Sequence, residues 1–118
     1  MFDFEKLELY EVADEVNTAC MKVAFTIKDD YLSNQLKRSS MSVVLNLAEG
    51  TGRMTAADKK HFFVVARASV FETVALLKVL LNLNKIENEE YQMLYDGYES
   101  VSKMLLGMIR STQKQNRK

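Results

Sequence analysis

Apolar residues recur at alternating spacings of four and three through long segments, and this limits the possible folds more than any other feature. Over roughly 5–28 the positions are Leu9, Ala13, Val16, Cys20, Val23 and Ile27, and over roughly 88–112 they are Leu94, Tyr98, Val101, Leu105 and Met108. Such spacing makes one face of an α-helix apolar, whereas a half-buried strand needs strict alternation. A third segment, roughly 56–83, carries Phe62, Ala66, Ser69, Thr73, Leu76, Leu80 and Leu83 in the same rhythm. A fourth, roughly 31–49, has Leu32, Leu36, Val43 and Leu47, with Ser39 and Ser40 where bulk is expected. No proline and only four glycines occur in 118 residues, too few turn-formers for a sheet protein.

The breaks between these segments carry their own signals. Lys28, Asp29 and Asp30 supply a base at one helix end and an N-cap acid for the next. Gly50 and Gly52 are expected to stop the second helix through positive φ, and Thr55 with Asp58 reads as a capping box for the third. Asn84 supplies a left-handed stop, and Glu87 or Asn88 opens the fourth helix with Glu89 and Glu90 in its first turn. Four long helices with short connections make residues 1–118 one all-α domain, an antiparallel up-down-up-down four-helix bundle. The third helix is apolar nearly all round. Phe63, Val70 and Leu77 lie to one side of its seam, Val65, Ala68 and Val79 to the other, and Val64 and Phe71 on its outer face. Burial on several sides in so small a domain points to a homo-oligomer, with Val64 and Phe71 as its contact.

Sixteen basic and sixteen acidic residues give zero net charge, which argues against wholesale non-specific nucleic-acid binding. Cys20, the only cysteine, sits on a seam and reads as a small core residue in a reducing, cytoplasmic setting. No apolar run reaches the ~20 residues of a membrane span, and no charged-then-apolar leader opens the sequence.

Two clusters are candidate sites. Arg38, Ser42, Asn46 and Glu49 share a narrow polar face of the second helix, with Glu72 from the third within potential reach. Arg38 is expected to pair with Glu49 or Glu72, in a network between helices or between subunits that sets register; the alternative is a ligand or RNA contact. At one end of the bundle Arg53, Lys59, Lys60, Arg110, Lys114, Arg117 and Lys118 would gather as a phosphate-binding patch, opposed by Asp3, Glu5, Glu8 and Glu11. Catalysis finds no support. The Gly50–Gly52 stretch lacks the Lys-Ser/Thr pair of a P-loop. Asp58 and His61 have the spacing of a bundle metal site, but one histidine cannot furnish a di-metal centre, so neither metal nor cofactor is expected.

Residues 32–53, LSNQLKRSSMSVVLNLAEGTGR, resemble the signature of a bacterial four-helix-bundle family first noticed as reading frames inside intervening sequences of 23S ribosomal RNA genes. The pattern is carried by Gln35, Arg38, Ser39, Ser42, Val43, Asn46, Leu47, Ala48, Glu49, Gly50, Gly52 and Arg53, followed by Ala66, Ser69 and Glu72 in the next helix. The resemblance spans about Phe4 to Ser111 and implies a left-handed bundle assembled into a ring, with a pentamer as a form. It also implies a fold similar to the accessory protein of diversity-generating retroelements, a basic ring that binds reverse transcriptase and nucleic acid; the excess of positive charge in that ring is missing here. The reading is therefore a non-enzymatic, ring-forming bundle acting as an RNA- or ribonucleoprotein-associated factor. The alternative is a protein-interaction scaffold with no nucleic-acid role.

Overall fold

The computed structural model describes residues 1–116; Arg117 and Lys118 lie outside the described residues. A 3₁₀ turn, Asp3–Lys6, precedes four α-helices: α1 Glu8–Thr26, α2 Asp30–Thr51, α3 Ala56–Asn82 and α4 Asn88–Asn116. No strand occurs among the described residues, and the helices form a compact bundle of 50 × 23 × 22 Å. Each helix touches the next in sequence, and α4 returns to touch α1.

The caps explain where the helices begin. Asp29 accepts the Leu32 backbone N–H at 2.9 Å and Thr55 accepts that of Asp58 at 3.1 Å. Each satisfies a donor that the first helical turn leaves without a partner. Glu90 reaches back to the Glu87 N–H at 3.0 Å at the start of α4. Asn84 closes α3 with φ 58°, a conformation its short polar side chain tolerates. The Ser33 hydroxyl donates to the Ala24 carbonyl at 2.8 Å, pinning the start of α2 to the end of α1.

Three expectations need correction. Gly50 does not stop α2: it is a buried helical residue, α2 runs to Thr51, and Gly52 caps it with φ −85°. Gly50 is required by proximity instead, because a Cβ there would lie 2.6 Å from Phe63 Cε1. On α3 the seam residues Ala66, Ser69, Thr73 and Leu80 are buried as expected and Phe63, Val70 and Leu77 join them, while Phe62 and Leu76 are half-buried and Leu83 exposed. The buried face of the helix is shifted part of the way toward the flank that the four-three seam placed beside the core. On α1, Asn17 is buried and Val16 only half-buried, because Val16 faces α4 where Gly97 leaves room for it. The main core residues of α2 and α4 follow their periodicity: Leu36, Val43, Leu47, Leu94, Tyr98, Val101 and Leu105 are all fully buried.

Candidate functional site

The polar face of α2 splits in two. Toward α3, Ser42 Oγ lies 2.7 Å from Ser69 Oγ, and Asn46 Nδ2 donates to the Ser42 hydroxyl at 2.9 Å and the Ser42 carbonyl at 2.8 Å. One turn away, Thr73 Oγ1 is bonded to Ser39 Oγ at 2.9 Å and to the Ser69 carbonyl at 2.7 Å. Small hydroxyl side chains let the two helices approach closely while satisfying one another. This accounts for serines where bulk was expected. Ser69→Ala is expected to cost about 1 kcal/mol, since it removes one of the two partners of the half-buried Ser42 hydroxyl and leaves only the Asn46 amide. Chemical denaturation of the variant would read this directly.

The charged members of that face join no such network within the chain. Arg38 is exposed and donates to Gln35 at 3.1 Å, reaching neither Glu49 nor Glu72. Glu49 instead takes Arg53 at 2.7 Å, and the Arg53 guanidinium also lies over the Phe62 ring at 4.5 Å. Glu72 is exposed and in no ion pair among the described residues.

The basic end is likewise divided. Lys59 Nζ donates to the Thr51 carbonyl at 2.9 Å, serving the C-terminal end of α2. A cleft of about 260 Å³ lined by Asp3, Leu7, Thr51, Lys59, Met108 and Ser111 brings the first residues, the α2–α3 connection and the end of α4 together. Arg110 and Lys114 are exposed and in no ion pair among the described residues. Of the opposing acids, Asp3 pairs with Lys6 at 3.7 Å and Glu5 accepts the Phe2 N–H at 3.0 Å. The remaining two basic positions, Arg117 and Lys118, fall outside the described residues.

Val64 and Phe71 are 45% and 58% exposed on the outer face of α3. They border a groove of about 490 Å³ between α3 and α4, whose walls include Leu106, Ile109, Lys60 and Arg67. Arg67 spans it: Nε donates to the Ser102 carbonyl at 3.3 Å and the guanidinium lies 4.9 Å from the centre of the Phe71 ring.

Two titratable groups are buried in the core. Burial pushes the Cys20 thiol up, with the neighbouring Tyr98 and Ser40 hydroxyls acting the other way. Burial pushes the Tyr98 phenol far up, with the neighbouring Cys20 adding to it. The Tyr98 hydroxyl and Asn17 Oδ1 are sealed from solvent with no hydrogen-bond partner. Burial thus favours the neutral forms of Cys20 and Tyr98. No group of three or more His, Cys, Asp or Glu that could hold a metal occurs among the described residues. His61 is exposed at the start of α3, edge-on to Phe62. No helix is long and apolar enough to cross a membrane, among the described residues.

Hydroxyl pairs between α2 and α3, a closed core and exposed apolar residues on the outer face of α3 characterise this all-α bundle. The chain belongs to the 23S rRNA-intervening sequence protein family, whose sequence pattern matches residues 5–107. Its structure is similar to that of a protein of unknown function from the S23 ribosomal protein family of Bacteroides thetaiotaomicron. The TM-score is 0.81 at 20% identity, covering 86% of this chain and 97% of that one, a likeness of fold. No curated protein matches the sequence.

Proposed function

We propose that this protein is a non-enzymatic, homo-oligomeric ring of left-handed up-down-up-down bundles, pentameric in form, that associates with RNA or a ribonucleoprotein in the cytoplasm. The observation that carries the reading is the outer face of α3, where Val64 and Phe71 remain exposed in a single copy. An apolar stripe in that position has a physical reason to self-associate. Short connections between helices that each touch their sequence neighbours support the up-down course. Arg110 and Lys114 at the end of α4, in no ion pair among the described residues, supply cations for a phosphate backbone, and the family name itself refers to 23S rRNA.

The second reading, a protein scaffold that ignores nucleic acid, is favoured by Arg53 and Lys59, which are engaged inside the chain. Light scattering of the protein alone and with total cellular RNA separates the two. We expect an oligomer that gains mass with RNA at low salt and sheds it as salt rises, since phosphate contacts release counterions. Arg110→Glu with Lys114→Glu should abolish the gain and keep the oligomer. An oligomer indifferent to RNA at every salt concentration moves the function to a protein partner.

A further inference from the structure

We infer that the groove between α3 and α4 takes the α1–α2 ridge of a second copy, so that the subunit contact is head-to-tail and joins two different faces of the chain. The inference rests on the oligomeric reading above and names the two faces. Because α1 touches α2 and α4 but not α3, the α1–α2 side of the bundle lies opposite the α3–α4 side.

The two sides are complementary in shape and charge. On the α3–α4 side the groove has the apolar Val64, Phe71 and Leu106, and the cations on its walls are Lys60 and Arg67. On the opposite side Leu45 projects, 58% exposed, with Met41 one turn before it. Met41 is fixed beside α1 by the Asn17 side chain, 3.9 Å from its sulfur. Between one and two turns further toward the start of α1 lie the exposed acids Glu11 and Asp14, with Glu15 also exposed. None of these charged residues forms an ion pair within the chain among the described residues.

The patches also match in height. Asn17 meets Met41, Ser42 meets Ser69 and Arg67 meets Ser102, so these residues sit at one level along the bundle. Leu45 and Phe71 are therefore within about a turn of the same level. Copies set side by side in the same orientation bring an apolar ridge with acids to an apolar groove with cations. Contact between unlike faces repeats from copy to copy, closing into a ring where successive copies are rotated about a common axis and extending as a filament where they are not; a two-fold contact would stop at a dimer.

Charge reversal tests the pairing. One variant carries Glu11→Lys and Asp14→Lys, the other Lys60→Glu and Arg67→Glu, and circular dichroism confirms folding. Lys60→Glu alone serves if loss of the Arg67–Ser102 bond unfolds the second. Each variant alone should be driven toward monomer by like charges across the contact, with at least a tenfold loss of affinity. Mixed, they should associate again, because each junction between unlike variants joins opposite charges; five copies cannot alternate throughout, so the mixture should form even-numbered or open assemblies instead of the wild-type ring. Wild-type protein that is itself monomeric overturns the oligomeric reading. A wild-type oligomer whose mass neither variant changes, or a mixture that stays monomeric, overturns only the pairing of faces. A Phe71→Glu monomer beside an intact Leu45→Glu oligomer also overturns it, showing α3 meeting α3.

Discussion

Gly50→Ala is expected to lower the unfolding free energy by about 1–2 kcal/mol, although alanine in an ordinary helix interior would raise it by about 1 kcal/mol. The new Cβ would sit 2.6 Å from Phe63 Cε1, 2.8 Å from Phe63 Cδ1 and 3.2 Å from Phe62 Cβ. Phe63 is only 2% exposed, so its ring cannot swing into solvent to make room. Either the ring leaves its preferred rotamer or α2 and α3 move apart, which stretches the Ser42–Ser69 and Ser39–Thr73 bonds. Gly50→Val should cost more, about 3 kcal/mol, because a branched side chain adds its own crowding. Phe63→Leu in the Gly50→Ala background should restore part of the loss, and a double-mutant cycle by urea denaturation would measure that coupling. A more stable Gly50→Ala protein would mean that α2 and α3 are not in close contact here.

That glycine also shows how far the sequence could be read. Its place near the end of a periodic segment, with Gly52 two residues on, gave every local sign of a helix stop. What decides its role is a phenylalanine in another helix, and no local signal encodes that contact. Local chemistry was legible wherever the partner is local: Asp29, Thr55 and Asn84 act as their types and positions require. The faces of α2 and α4 were legible because polar residues mark their outer sides sharply. On α3, with Val64, Phe71 and Val79 on or near its outer side, apolar periodicity has no sharp direction, and the choice between Phe62 and Phe63 rested on about 100° of rotation. Asn17 was missed for a related reason: an asparagine beside a seam valine is ordinarily assigned to water. Among the polar candidates, the sequence placed Ser42 and Asn46 on one face and Ser69 on the facing helix, but whether Arg38 reached a carboxylate depended on side-chain distances no periodicity supplies.

The second large effect concerns alkaline pH. Cys20 and Tyr98 both ionise less readily when folded than their types do in water, each because burial penalises the charged form. Below the thiol's ordinary value of 9.0, both groups are protonated in the folded and the unfolded chain and stability is indifferent to them. Above it the unfolded chain loses the Cys20 proton while the folded chain keeps it. The unfolded state then binds fewer protons, so stability falls as pH rises. The slope approaches about 1.4 kcal/mol per pH unit for one group, and about twice that once Tyr98 joins above its ordinary 10.0. Urea denaturation from about pH 8 to about pH 11 should therefore show a decline that steepens toward the alkaline end. Cys20→Ala should remove the first part and Tyr98→Phe the second. Near neutrality Tyr98→Phe should also gain about 1 kcal/mol, because it deletes a buried hydroxyl that has no partner. Equal slopes in all three proteins would mean that water reaches Cys20 and Tyr98, and that the bundle opens far more readily than its closed core implies.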